Sequence, residues 1–367
     1  MVSYGDIRAH PARARAIEAL GVHRYLAVPN EMQVYLDNGA FFFLNRGGEI
    51  PRKDYEGFVA LARPDWWPIP QDFIPAPAMS DEDQRNCFRR TMAVNREYEH
   101  GGYVPGIHAG RMLESYISEF QSCERLLAKP ALALGGIVPN LLRAPKAIPY
   151  AVVLAGLHRA RTAFSGKSLH LFGVGGTATL HLAALLGFDS IDSSGWRNRA
   201  ARGIVQLPGS GDRTVANLGN WRGREPSTEE WERLEACKCP ACEQFGLDGL
   251  KASALAGFCN RSTHNLRILL EEARAIETRL ADGTYASWYE GHLDNSIYLS
   301  LIRQALALRE GSSHPGRTSQ SGRNSPGSTG RPLRLSARPQ PAAPPCEGHT
   351  PEERSCGSEN PHGDSRR

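Results

Sequence analysis

The sequence predicts an α/β protein of the TIM (β/α)8-type barrel class. Two observations carry that class. Short apolar runs alternate with helical apolar periodicity through the first 310 residues, as expected of parallel strands joined by helices. Polar or glycine residues also stand at the ends of those runs: Asp37 after VYL, His108 after VPGI, Gly135 and Gly136 within LALGGIV, Gly173 after LHLF, and Asp192 after SI. An open doubly wound sheet would give the same alternation. Strand ends from along the whole chain feeding one site are instead the layout of a barrel's C-terminal face.

In chain order, a periodic stretch predicts a helix over 9–20, and the runs RYLAV and QVYL predict strands over 24–28 and 33–36. Helices are expected over 54–62 and 81–100, a strand over 103–107 (YVPGI), a helix over 111–122 and a strand over 131–137 (ALALGGI). A helix over 148–162, a strand over 168–172 (SLHLF), a helix over 178–186 and strands over 190–191 and 203–207 complete the series. Apolar spacing of three to four residues marks the helices. Short apolar runs bounded by turn residues mark the strands.

Composition changes sharply near Glu310. The stretch GSSHPGRTSQSGRNSPGSTGRP and the residues after it include few large apolar side chains. Such a segment cannot bury enough surface to offset chain entropy, so 311–367 is expected to be a disordered Gly/Ser/Pro/Arg-rich tail. It is either a solvated tail or an arm that touches nucleic acid. The net charge is +4, and eight Arg against five Asp or Glu place most of that surplus in the tail. Residues 1–310 are nearly neutral, so composition gives no strong nucleic-acid footprint. No run of eighteen apolar residues marks a membrane span, and the first twenty residues do not read as a signal peptide. The eight cysteines do not form a disulfide framework, which points to a reducing cytoplasm.

Three of those cysteines crowd into CKCPAC, at Cys237, Cys239 and Cys242. His264 comes later, in STHNLRILLEEARAI, where it is expected to open a periodic helix. Three thiolates and an imidazole fill a tetrahedral Zn²⁺ shell with no open position, which makes the site structural rather than catalytic. Cys259 is a competing fourth ligand, and free surface cysteines are the bland alternative. The expected zinc subdomain spans 231–275, inserted near the C-terminal part of the barrel.

Two carboxylates stand out. Asp37 lies in LDNGAF, where small residues let a substrate approach the backbone; a turn aspartate before a buried Phe41–Phe42–Phe43 strand is the plain alternative. Asp192 lies in GFDSIDSSGWRNRAARG, with Asp189 just before it and Arg197, Arg199 and Arg202 just after. The preceding GVGG can offer backbone amides to a phosphate or polar ligand. It lacks the spacing of a dinucleotide fingerprint. A strand-end aspartate with three arginines downstream suggests a carboxylate acting on a phosphate-bearing substrate.

Taken in order, these segments resemble the tRNA-guanine transglycosylases. GVGG, a helix and then GFDSIDSSGWRNRAARG look like the segment around that family's nucleophile, and CKCPAC with HNL after it looks like its zinc motif. LDNGAF sits where the family has Asp-Ser-Gly-Gly and an aromatic. VPGIHAG and ALGGIVP sit where it has two base-recognition loops. The resemblance covers roughly residues 30–280 and implies a barrel with a zinc insertion. DNGAF departs from the family pattern, His108 stands where glutamine is usual, and no C-terminal RNA-binding domain is recognisable. This makes the chain more similar to the DpdA branch, which places 7-deazaguanine bases into DNA.

The resemblance implies base exchange at a nucleoside. Asp192 would be the nucleophile that holds the sugar, and Asp37 the general acid/base. Phe41 and Phe172 would sandwich the base, and Asp72 would accept from its N1–H and 2-amino edge. His108 and the loop Gly135–Gly136 would face its O6 side, next to Gly173. Arg197 and Arg202 would hold the flanking phosphates. The implied partners are nucleic acid, DNA ahead of tRNA, and a 7-deazaguanine base; a duplex-opening ATPase is a further candidate. Exchange on tRNA and a non-catalytic binding subunit are the alternatives, and the presence of both acids speaks against the second.

Overall fold

The structure is a computed structural model and describes residues 1–312 except 72, 142–143, 220–222 and 294–295. Eight short strands are described: β1 (Val2–Ser3), β2 (Leu36–Asp37), β3 (Gly106–His108), β4 (Ala131–Gly135), β5 (Ser168–Leu171), β6 (Ser190–Ile191), β7 (Ile204–Leu207) and β8 (Gly211–Thr214). β1 pairs with β2, and β3 through β6 form a four-stranded sheet in chain order; every pair among them is parallel. Single parallel bridges, Tyr35 with Trp66 and Pro68 with Val104, connect the two groups. Strand contacts therefore track the chain from Val2 to Ile191, with helices between. β7 and β8 form a separate antiparallel hairpin.

The largest core lies where β3, β4 and β5 meet their covering helices. Ile107, Leu132, Leu134, Leu169 and Leu171 are almost fully buried against Phe120, Leu154, Leu157, Leu182 and Ile302. β4 is buried on both faces, which is why ALALG reads as a continuous apolar run rather than an alternating one. A second core gathers Tyr4, Ile17, Leu36, Tyr55 and Phe58 around the N-terminal helices and β2. The helix Asp81–Glu97 starts where Ser80 accepts from the Asp83 N–H at 3.1 Å, with three acids in its first turn. Such a cap stabilises the helix by about 1 kcal/mol.

Several expectations are corrected. Residues 24–28 do not form a strand: Val22–Leu26 is a helix, entered through Gly21 at φ +81° directly after the helix Pro11–Leu20. RYLAV has no strict two-residue alternation to hold it in a sheet. The three phenylalanines of AFFFL lie in a short helix, Ala40–Leu44, not in a buried strand. His264 does not open its helix, which runs from Ala254 to Ala281 and places His264 in its middle. The bridge segment at Trp66 and Pro68 and the strands β1 and β8 were not anticipated. The last described helix, Leu299–Ser312, runs just past the expected boundary at Glu310; the tail from residue 313 lies outside the described residues.

Candidate active site and thiolate cluster

Parallel pairing carries the strand ends to one edge of the sheet. His108 pairs with Gly135, Leu134 with Leu171, and Leu171 with Ile191. Residues just beyond those pairs, Gly136, Phe172, Gly173 and Asp192, therefore share that edge. At the other group, Ser3 pairs with Asp37.

Asp37 is held by two hydrogen bonds to the same oxygen. The Ser3 hydroxyl and the Gly39 N–H each donate to Oδ2 at 3.0 Å. The turn behind it is braced by buried Asn38, whose amide donates to the Ile69 and Gln71 carbonyls at 2.8 and 3.0 Å and accepts from Ala40 N–H at 2.9 Å. The Asp37 carboxyl is pushed up to about 6, first by burial and then by the charge of Asp192, against the pull of its two donors. A carboxyl in that range can both give and take a proton near neutral pH.

Asp192 is set by one hydrogen bond at Oδ1, with an imidazole nearby. The Gly173 N–H donates at 2.8 Å, and His170 Nε2 lies 3.4 Å away. His170 is buried on β5. Its Nδ1 is 2.9 Å from the Ser190 hydroxyl. Its Nε2 has no hydrogen-bond partner in the protein. Gly173 has φ +75°, and a Cβ on it would lie 2.6 Å from Val138 Cγ2, so only glycine suits this corner. Here GVGG turns an amide toward a carboxylate rather than a phosphate. The same loop locks onto the turn after Asp192. Ser193 donates to the Gly175 carbonyl and accepts from Gly195 N–H, and a Cβ on Gly175 would lie 2.0 Å from Ser193 Cβ. Asp189 has a different role: it accepts from Leu169 N–H at 2.9 Å and pairs with Arg161 at 3.1 Å, tying β6 to β5.

Aromatic rings line the same edge of the sheet. Phe172 is half-buried and packs with Trp66 and His170 at centroid distances of 6.1 and 4.8 Å. A Cβ on Gly135 would lie 3.2 Å from His108 Nδ1 and 3.8 Å from Phe172, so this glycine keeps the space beside both rings open. Burial pushes His108 down to about 4, so it is neutral near pH 7. Its proton can be placed. Gln71 Oε1 accepts from Phe73 N–H at 2.8 Å, which turns the Gln71 amide nitrogen toward His108 Nε2 at 3.2 Å. Nε2 is then the acceptor, and the hydrogen resides on Nδ1. Nδ1 is buried with no hydrogen-bond partner in the protein.

The remaining expected residues scatter more. Phe41 is 57% exposed. Arg197 is exposed and reaches Asp6 at 3.7 Å, Arg202 is exposed, and Arg199 is engaged by Asp212 at 2.7 Å. Asp72 lies outside the described residues. Ser3, Asn38, Gln71 and His170 were missed in the sequence. His170 was legible in principle, since it shares strand parity with Phe172 in SLHLF and so points to the same face.

The thiolate cluster fits a metal. Cys237, Cys239 and Cys242 Sγ lie 3.6, 3.7 and 3.4 Å from His264 Nδ1. Zn–S of about 2.3 Å and Zn–N of about 2.0 Å in a tetrahedron put sulfur and nitrogen about 3.5 Å apart. His264 Nε2 faces the Gln206 carbonyl at 3.0 Å, which places the ring proton there and frees Nδ1 for an ion. Without a cation the sulfurs resist joint ionisation: the Cys239 thiol is pulled down because its neighbours donate to it, while the Cys242 thiol is pushed up, first by its hydrogen bonds to Cys237 and Cys239 and then by burial. Cys259 is exposed and stands apart, so His264 completes the set.

The helix carrying His264 also reaches the segment after Asp192. Asn265 donates to the Trp196 and Ile204 carbonyls and accepts from Gln206 N–H, and Arg261 donates to the Ala200, Leu250 and Ala252 carbonyls. The metal module thereby buttresses the helix Gly195–Ala201.

A parallel α/β scaffold, two carboxylates close enough for the charge of Asp192 to raise Asp37, and a Cys3His cluster are the features that the chain brings together. Residues 63–296 match the family described as Queuine tRNA-ribosyltransferase, and the chain belongs to that family. Membership makes it a guanine transglycosylase in general terms, a pentosyltransferase acting on a guanine base in nucleic acid. No curated protein matches the chain at a significant level. The family match begins downstream of Asp37 and Phe41. Among the described residues, no helix is long and apolar enough to cross a membrane.

Proposed function

We propose that this protein exchanges guanine in DNA for a 7-deazaguanine, such as 7-cyano-7-deazaguanine, on a closed (β/α)8 barrel. The observation that carries the reading is the nearness of two carboxylates, Asp37 and Asp192, the charge of the second helping to raise the first. Asp192 attacks C1′ of the target nucleoside, and the bond to guanine breaks as a covalent glycosyl-enzyme forms. Asp37 gives its proton to the leaving base and takes one from the incoming base, which then displaces Asp192 from the sugar. Two inversions keep the sugar configuration. The Gly173 amide holds Asp192 in line. The base stacks on Phe172, with exposed Phe41 as its cover, while His108 Nδ1–H donates to the O6 side beside Gly135 and Gly136. Asp72 accepts from the opposite edge. Arg197 and Arg202 take the flanking phosphates, and the target nucleotide leaves its stack to reach the slot. A duplex-opening ATPase would assist that step.

Cys237, Cys239, Cys242 and His264 would hold Zn²⁺ in a closed shell, which supplies rigidity rather than chemistry. DNA is favoured by two residues that depart from the pattern of the tRNA enzymes, Asn38 and His108. The description of the matching family favours tRNA as the second reading. The test is incorporation of labelled 7-deazaguanine into DNA and, in parallel, into tRNA, with denaturing gels to trap the adduct. Asp192→Asn should abolish adduct and exchange while nucleic-acid binding survives. Full activity in that variant would refute the mechanism; incorporation into tRNA alone would transfer it to the second reading.

A further inference from the structure

Away from the two carboxylates and the thiolates, three further ligand-type side chains converge. His181 comes from the helix Thr177–Leu185, Glu272 from Ala254–Ala281 and His292 from Tyr285–His292. His181 Nε2 and His292 Nε2 both meet Glu272 Oε1, at 2.9 and 2.7 Å. The side chains of His181 and Glu272 are 0% and 1% exposed, and that of His292 is 18% exposed. Among the described residues, the ion-pair partners of Glu272 are these two imidazoles. Three helices thus bring two imidazole nitrogens onto one oxygen of a buried carboxylate.

We infer that His181, Glu272 and His292 form a second metal site, which takes a borderline divalent ion of the Zn²⁺ class. Two imidazole nitrogens and a carboxylate oxygen are a donor set for such ions. The ligand atoms already lie within 4.8 Å of one another. Outer contacts orient them as metal ligands require: His181 Nδ1 is 2.7 Å from the Tyr285 hydroxyl, and the Gly209 N–H donates to the second oxygen of Glu272 at 3.3 Å. Both rings pack on Trp288, which fixes their planes. An access route exists as well. His292 lines a cleft of about 470 Å³ with Ser210, Arg224, Ser227 and Arg233. Three protein donors leave one tetrahedral position for water or a solute arriving through that cleft. The site shares no residue with the base-exchange centre and does not depend on it.

The test uses the full chain. Elemental analysis after exhaustive dialysis should give about two zinc per chain in the wild type and about one in Glu272→Gln and in His292→Ala. Co²⁺ separates the sites: the thiolate site gives a sulfur-to-metal charge-transfer band, and a second equivalent adds only ligand-field bands, absent in Glu272→Gln. If the variants unfold, the wild-type count decides alone. One equivalent in wild-type protein, with the charge-transfer band saturated and no second Co²⁺ bound, would overturn the site and leave a His–Glu–His hydrogen-bond network.

Discussion

Asp37→Asn separates the two consequences of placing a carboxyl in a partly buried position beside a second one. In the folded protein Asp37 is raised from 3.8 to about 6. Below about pH 4 the carboxyl is protonated in both folded and unfolded chains, and its burial carries no charge penalty. As pH rises from there to about 6, the unfolded carboxyl ionises first, so stability is lost; above about 6 the whole penalty is present. At about 1.4 kcal/mol per pH unit, the shift amounts to roughly 3 kcal/mol. Asparagine removes the charge and keeps its partners, because the Ser3 and Gly39 donors both meet one oxygen. Asp37→Asn should therefore match the wild type near pH 4 and melt about 5 °C or more higher at pH 7.5. Exchange should fall by about 10²–10⁴-fold, and the pH–rate profile should lose its inflection near 6. The assay is paired thermal melts across pH 4–8 with single-turnover exchange on the same samples. A variant less stable than the wild type at pH 7.5, or one retaining the inflection, would refute the poised acid/base.

Cys239→Ala should release the Cys3His zinc and lower the melting temperature; it should also raise hydrogen exchange in 195–201, since Asn265 and Arg261 anchor that helix, and unchanged exchange there would disprove the coupling. Gly173→Ala should cost about 1–3 kcal/mol in melting experiments, because φ +75° and the contact with Val138 both oppose a Cβ; adduct formation should slow as the amide leaves Asp192. His108→Ala should weaken free-base binding about 10- to 100-fold by calorimetry, the range for losing a buried donor to a ligand acceptor. Equal affinity would show that Nδ1 faces no ligand.

What the sequence determined by itself is what local geometry enforces. CKCPAC folds its thiols toward one point because six residues allow little else, and its distant partner was identifiable because His264 sits in a periodic helix. The parallel α/β class came from alternation, and the strand-end residues from their position behind apolar runs. Tertiary packing decided the rest. Asp189 and Asp192 are near-identical in sequence context, yet pairing with β5 gives one to Arg161 and the other to the Gly173 amide. Asn38 looked like a departure from a motif and is a buried brace, because its carbonyl partners lie more than thirty residues away. The proton on His108 is placed by Gln71 and Phe73, on another strand connection. His181 and Glu272 stand 91 positions apart and carry no spacing signal; they meet only because two helices cross over one core. Contacts within a turn are written in the order of residues. Contacts between elements depend on which faces are buried together, and those faces exist only once the chain has packed.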